Sequence, residues 1–137
     1  MVTFVIGKAV PLEKVPKDMY VVETSQMSGD ADAYASNGFQ FHDRDEAEKF
    51  AEFCLAIEDI MSSGYVRDRD RIAELLKEKV SEDVIKAAVG EYGYIEDLIM
   101  DICGWDVTCE DMLATLDGVT VYYYDENGVK YDVAVNK

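Results

Sequence analysis

The sequence is poor in positive charge: 13 lysines and arginines stand against 29 aspartates and glutamates, for a formal net charge of −16. Nucleic-acid affinity comes mainly from Lys and Arg that neutralise phosphates, so this balance argues against direct binding of DNA or RNA. The chain has no apolar run long enough to span a bilayer. Its opening, MVTFVIGKAVPLEK, also lacks the order of charge and apolar residues of a signal peptide. We therefore expect a cytoplasmic protein that binds neither nucleic acid nor membrane.

The side chains that metals and enzymes use most are scarce as well. His42 is the only histidine, and the sequence indicates no nucleophile beside it. Cys54, Cys103 and Cys109 form no C-x-x-C pair and no zinc spacing, so we expect reduced thiols. Glycine-rich phosphate loops and the G-x-S-x-G and H-E-x-x-H motifs are missing. The sequence therefore predicts no catalytic residues, no metal and no cofactor, and it favours a non-enzymatic protein.

The apolar residues predict a single domain over residues 1–137 with an α+β fold. Alternation of apolar and polar residues in VTFVI, MYVVETS and GFQFH is typical of half-buried strands. Helical spacing predicts helices over about 45–62 and 67–80, followed by a third. Asp45 is the expected cap of the first helix, with Glu48 three residues on, and Ser81 is the expected cap of the third.

Glycines divide the pattern after the third helix. Gly90 and Gly93 predict a break, because glycine is unfavourable inside a helix. Four apolar residues then resume the helical stripe: Ile95, Leu98, Ile99 and Ile102. Gly104 is a plausible end of that helix, and Thr108 is the predicted cap of one more short helix ending near Asp117. Three to five helices thus form a central block against a mainly antiparallel sheet of N-terminal strands and a C-terminal hairpin.

The register of the C-terminal hairpin follows from its turn. A turn over Asp125–Gly128 with a left-handed Gly128 makes one face wholly apolar, whereas a two-residue turn at Asn127 and Gly128 would mix the faces. Since a one-residue slip would expose the apolar face, we expect the longer turn. The predicted pairs are Val119 with Val135, Val121 with Val133 and Tyr123 with Tyr131. The predicted outward residues are Tyr122, Tyr124, Lys130 and Asp132.

No basic residue occurs between Lys86 and Lys130, a stretch that contains ten acidic residues. Within it, Asp97 and Asp101 lie four residues apart on one helix face, roughly 5–6 Å from each other, where like charges repel. Such a row of charges could imitate nucleic acid, and tyrosine and tryptophan nearby are typical of protein interfaces. We expect a basic protein as partner, such as a nucleic-acid-binding protein. The predicted contact residues are Glu96, Asp97, Asp101, Glu110, Asp111, Tyr94 and Trp105.

Three other interpretations stay open. The acidic residues could form only a solvated face that keeps the protein in solution. A small enzyme or ligand-binding domain could use a polar pocket around Asp30, Asp32, His42 and Arg67, although Asp30 and Asp32 lack the glycine and glutamate of a calcium loop. A homo-oligomer joined through the edges of the hairpin is the third.

The segment YVVETSQMSGDADAYASNGFQF, followed by the acidic helix DEAEKFAEFC, resembles small uncharacterised acidic proteins of tailed bacteriophages. The resemblance covers about the first 60 residues and brings no catalytic residue with it. It implies a non-enzymatic accessory role in the host cytoplasm, such as inhibition of a host or defence factor, by analogy with acidic phage proteins that imitate DNA.

Overall fold

The structure, a computed structural model, describes residues 1–10, 17–27, 34–64, 66–106 and 109–136; for residues 8–10, 34–35, 91, 105–106 and 109–111 it describes the backbone only. Seven strands occur in these ranges: β1 (Thr3–Val10), β2 (Met19–Met27), β3 (Tyr34–Phe41), β4 (Trp105–Asp106), β5 (Cys109–Leu113), β6 (Thr115–Tyr124) and β7 (Lys130–Asn136). Five of them form an antiparallel sheet in the order β1-β7-β6-β2-β3, and β4 pairs with β5. The strands predicted from VTFVI, MYVVETS and GFQFH are confirmed as β1, β2 and β3.

Four α-helices precede the C-terminal hairpin: α1 (Arg44–Gly64), α2 (Arg69–Lys79), α3 (Glu82–Val89) and α4 (Ile95–Cys103). The predicted α+β fold is confirmed. Ser81 caps α3, because its hydroxyl accepts a hydrogen bond from the amide of Val84 at 3.3 Å. Gly104 ends α4 with a φ of 70°. The predicted glycine break is a 3₁₀ turn over Gly90–Tyr92.

The main sheet is concave on the side that holds the helices. Phe4 on β1 and Tyr20 on β2 are three strands apart, which is about 14 Å in a flat sheet. Their ring centroids nevertheless lie 5.6 Å apart over the helix-facing side. Arg44, at the start of α1 just after β3, likewise donates a hydrogen bond to the carbonyl of Phe4 on the opposite edge strand. The long α1 helix lies in this concavity, and its buried residues form the centre of the core: Ala47, Phe50, Ala51, Phe53, Cys54, Ala56, Ile57, Ile60 and Met61.

The first turns of α1 cover the outer edge of β1. The carboxylate of Glu48 accepts a hydrogen bond from the amide of Phe4 at 2.6 Å, and Glu52 accepts one from the amide of Val2 at 2.8 Å. Arg44 pairs with Glu48 at 3.6 Å while donating to the carbonyl of Phe4. Side chains of α1 therefore form hydrogen bonds with the same backbone amides and carbonyl that an additional strand would need for pairing.

The cap of α1 is Asp43, so the prediction of Asp45 as cap is wrong. A side-chain oxygen of Asp43 accepts a hydrogen bond from the amide of Glu46 at 3.3 Å, and its carbonyl accepts from the amide of Ala47 at 3.1 Å. The helix begins earlier because β3 leads almost directly into it. This shift leaves Glu48 beyond the reciprocal capping position, where it binds β1.

The predicted hairpin register is confirmed where the ladder is formed: Val121 pairs with Val133, Tyr122 with Asp132 and Tyr123 with Tyr131. Gly128 has a φ of 78°, and its amide donates to the carbonyl of Asp125 at 3.0 Å, as the longer turn requires.

One residue of the outward hairpin face is less exposed than its position suggests. Tyr124 lies on the side away from the helices but is only 7% exposed. Its Cα partners in the two neighbouring strands are Met19 and Lys130, whose long side chains share that side of the sheet. Tyr122 beside it is half-buried, with the ammonium of Lys130 3.8 Å from its ring centroid. Cross-strand neighbours can thus bury a tyrosine that strand alternation places outside.

The short helix predicted after Thr108 is also wrong. Thr108 itself lies outside the described residues, but the segment that follows forms β5, and Asp117 lies within β6. Leu113 pairs with Trp105, and β6 pairs with both β2 and β7. Capping residues and apolar spacing indicate local preference only. Strand pairing overrides that preference here: β5 pairs with the neighbouring β4, and β6 pairs with the distant β2 as well as with β7.

Candidate functional site

The helix α4 has one buried and one charged side, as its sequence predicts. Leu98, Ile99, Ile102 and Cys103 are fully buried against the core. Asp97 and Asp101 are exposed on the opposite side, and Glu96 is partly exposed. Both aspartates therefore face solvent one helical turn apart.

Two tyrosines precede α4 and extend the same region. Tyr92 is 41% exposed and Tyr94 is 70% exposed, unusual values for large aromatic side chains. Gly90 and Gly93 flank Tyr92 with φ values of 50° and 80°, a backbone that residues with a Cβ rarely adopt. The glycines therefore turn the chain so that neither tyrosine enters the core.

Tyr92 is linked to α4 through Asp101. Burial raises the pKa of the Tyr92 hydroxyl, and its hydrogen bond to Asp101 and the negative charge of that carboxylate raise the pKa further. The phenol therefore stays protonated well above neutral pH and can donate to the carboxylate. We refer to Tyr92, Tyr94, Glu96, Asp97 and Asp101 as the α4 surface.

The carboxylates of the α4 surface have no cation beside them in the described part of the chain. The ion pairs found there involve acids of α1 and α2: Glu52 with the amino group of Met1, Glu48 with Arg44, Asp45 with Lys49, Asp59 with Lys79, Asp70 with Arg69 and Glu74 with Arg71. None involves Glu96, Asp97 or Asp101. The sequence supplies no local cation, since no lysine or arginine occurs between Lys86 and Lys130, and the fold brings none from elsewhere in the described part of the chain.

Polar side chains on β2 and β3 hold the C-terminal end of α4. The last carbonyls of a helix lack partners inside it. Here Asn37 donates to the carbonyl of Asp101 at 2.6 Å, and Thr24 and Gln26 donate to the carbonyl of Ile102. Thr24 and Gln26 are fully or almost fully buried. These hydrogen bonds to the end of α4 explain why polar residues lie at core-facing positions of β2.

This attachment places the α4 surface beside the edge of the sheet. Asp101 lines a shallow recess together with Asn37, Gly38 and Phe39 of β3. Among the described residues, β2 is the only strand that pairs with β3, so the far side of β3 is a free edge. The sequence patterns above assign no role to Thr24, Gln26 or Asn37. The available indication was that Thr24 and Gln26 continue the inward positions of Tyr20 and Val22.

The other predicted contact residues lie in the small sheet. Trp105 belongs to β4, and Glu110 and Asp111 belong to β5, which places their backbones after the end of α4. Their side chains lie outside the described part of the structure. Their role as contacts therefore stays a prediction.

The residues of the predicted polar pocket do not converge where the structure describes them. His42 precedes α1, with Nδ1 3.0 Å from the carbonyl of Asp18. Arg67 follows α1, and its Nε donates to the carbonyl of Leu113 at 2.9 Å. The 21 residues of α1 separate the two by about 30 Å. Asp30 and Asp32 lie outside the described residues.

The groove beside the start of β1 is lined by groups that already have partners. Its lining includes Val2, Glu52, Asp59 and Lys79. Glu52 accepts the amide hydrogen of Val2, and Asp59 pairs with Lys79. These charged groups are therefore engaged within the chain rather than directed at a ligand.

The two described cysteines, Cys54 and Cys103, are free and buried. Burial raises the pKa of both thiols, that of Cys103 to about 12, so neither is a reactive thiolate near neutral pH. The side chain of Cys109 lies outside the described part. Among the residues whose side chains the structure describes, no group of three His, Cys, Asp or Glu is arranged to hold a metal ion.

No protein-family model, curated protein or solved structure matches the chain. No helix within the described residues is both long enough and apolar enough to cross a membrane.

Proposed function

We propose that the protein is a non-enzymatic binding module that holds a basic protein partner on the α4 surface. One observation carries this proposal: six acids of α1 and α2 have a cation within 4 Å, whereas Glu96, Asp97 and Asp101 have none among the described residues. Uncompensated like charges one turn apart weaken a helix by about 0.2–0.5 kcal/mol. When a basic partner binds, its positive charges form favourable ion pairs with the same carboxylates.

The exposed tyrosines support a protein partner rather than a free cation. Tyr94 and Tyr92 offer aromatic rings on which an arginine or lysine can stack while its charge meets Asp97 or Asp101. Tyrosine is also among the residues that contribute most to protein interfaces. A surface with both features suits a folded or extended chain rich in arginine and lysine.

The resemblance to phage proteins suggests the biological form of this binding. We propose that the partner is a nucleic-acid-binding protein of a host cell, and that the α4 surface occupies its DNA-binding face in the cytoplasm. The protein then acts as an inhibitor that competes with nucleic acid. Its high negative charge supports competition of this kind, because it accelerates encounter with a basic face.

A small folded DNA-binding domain of high positive charge tests the proposal. We expect Asp97→Asn with Asp101→Asn to weaken its binding by roughly 2- to 30-fold, the range for two exposed charge pairs. The matched control is Glu74→Gln with Glu78→Gln, which removes the same charge at the same spacing from exposed positions of α2. Binding is measured by calorimetry, with and without competing duplex DNA.

Two results contradict the proposal. Equal weakening by both double variants means that only net charge matters, and the α4 surface is then a solvated coat. Binding of the domain and DNA together, without competition, contradicts the imitation of nucleic acid.

A further inference from the structure

The two edges of the main sheet differ in their chemistry. On β1, Glu48 and Arg44 bond the amide and the carbonyl of Phe4, and Glu52 bonds the amide of Val2. These contacts close the beginning of that edge to another strand. No comparable contact covers β3 in the described part of the chain.

The β3 strand is long, regular and uncharged. Its eight residues, YASNGFQF, pair with Met27–Tyr20 of β2 without a bulge. Native proteins protect such edges with lysine, proline, bulges or a covering element. The strand contains no lysine, proline or bulge, and Ser36, Asn37, Gly38 and Gln40 are exposed. Every second residue of β3 therefore turns its amide and carbonyl away from β2.

Acidic side chains flank this edge. Asp101 lines the recess against Asn37, Gly38 and Phe39, on the helix side of the sheet. Glu23 lies opposite Gly38 in the ladder and, by strand alternation, on the other side. A strand added to β3 would thus have a carboxylate near each of its two faces. Alternating side chains of that strand could carry the complementary charges.

We propose that an extended, basic segment of the partner adds to β3 as a sixth strand of the sheet, with lysine or arginine side chains reaching Asp101 and the rest of the α4 surface. This inference rests on the proposed function and specifies that the bound part of the partner is an extended strand. Backbone hydrogen bonds to β3 supply affinity, and the acidic residues select the charge of the segment.

A second copy of the chain is the alternative occupant, and electrostatics disfavour it. Pairing β3 with β3 of another molecule brings two chains of net charge −16 together. It also places the Asp101 side chains of both copies along one joint, where like charges repel. A basic segment at the same edge is instead attracted by these negative charges.

The test uses a synthetic ten-residue peptide in which lysine alternates with threonine and valine, and two versions with N-methyl groups on the odd or the even backbone amides. N-methylation removes hydrogen-bond donors without changing the charge. We expect the unmodified peptide to protect amides of β3 in hydrogen exchange. We expect one methylated version to bind more than about tenfold more weakly, because several backbone hydrogen bonds are lost, and the other much less so.

The outcomes separate this inference from the proposed function. Equal binding of all three peptides, or no protection of β3, overturns the added strand. If the DNA-binding domain still binds through Asp97 and Asp101 in that case, the proposed function survives. Failure of both peptide and domain to bind overturns both proposals. A dimer with β3 protected in the absence of peptide shows that a second copy occupies the edge and overturns the inference.

Discussion

The helices α1 and α4 both carry acidic residues, but they use them in opposite ways. On α1, Glu48 and Glu52 bind backbone amides of β1, and Asp45 pairs with Lys49 at 3.0 Å. On α4, Asp97 and Asp101 face solvent without an ion pair among the described residues. Glu48 and Glu52 of α1 thus fasten the helix to the sheet, whereas Asp97 and Asp101 of α4 have no cation beside them among the described residues. Within the fold, Asp101 accepts a hydrogen bond from Tyr92. Counting acidic residues alone would not distinguish the two helices.

The largest effect is expected in the core, where the apolar side of α4 is buried like that of α1. Leu98 is fully buried in the core. Leu98→Ala should lower the free energy of unfolding by about 2–5 kcal/mol, through lost apolar contacts and the cavity left behind. Urea denaturation followed by circular dichroism measures this loss. A loss below about 1 kcal/mol would mean that α4 is loosely held and that its surface is not a fixed arrangement.

An intermediate effect is expected where an acid of α1 binds the sheet. Glu48→Ala leaves the buried amide of Phe4 and the guanidinium of Arg44 without their carboxylate. The expected loss is about 1–3 kcal/mol, the usual cost of an unsatisfied buried donor. Asp45→Ala is the control, because its pair with Lys49 is exposed and should matter much less. Similar losses for both variants would remove the contrast between sheet-binding and exposed acids.

The smallest effects are expected on α4 itself. Asp97→Asn relieves a like-charge pair and should leave stability unchanged or raise it by about 0.2–0.5 kcal/mol. A loss of stability on Asp97→Asn, in the same denaturation experiment, would show that this carboxylate has a partner inside the fold.

The pKa of Tyr92 provides a second readout of the α4 surface. Because the pKa is raised above 10.0 in the folded protein, the protonated phenol favours folding below pH 10.0, and this contribution is lost as pH rises through the folded value. Asp101→Asn should lower the pKa of Tyr92 towards 10.0, though burial keeps it above that value. Titration of the tyrosine ring carbons by NMR measures the change. An equal shift on Asp97→Asn would contradict a specific contact with Asp101.

Local patterns in the sequence predicted much of the fold. Helical spacing, Ser81 and Gly104 indicated helices that the structure contains, and the turn at Gly128 indicated the correct hairpin register. Each of these features depends on a few consecutive residues. The uncompensated charge of α4 was also readable, because a stretch without lysine or arginine has no cation of its own.

The sequence-based expectations were wrong or incomplete where contacts between different strands determine the structure. The helix predicted after Thr108 is replaced by β5, which pairs with the neighbouring β4, and by β6, which pairs over most of its length with the distant β2. Tyr124 is buried because Met19 and Lys130 adjoin it across the sheet. Neither fact follows from apolar spacing.

By itself, the sequence determined that helices occupy the regions of α1 to α4, which sides of them are apolar, and that the acids after Lys86 lack cations nearby in the chain. Only the tertiary structure decided that Thr24, Gln26 and Asn37 hold the end of α4. It also decided that the edge of β1 is closed at its beginning while β3 pairs with β2 alone among the described strands. The physical reason is the separation along the chain over which each interaction acts. Helical periodicity and capping act within a few residues, whereas edges, carbonyl partners and charge neighbours depend on segments brought together from far along the chain.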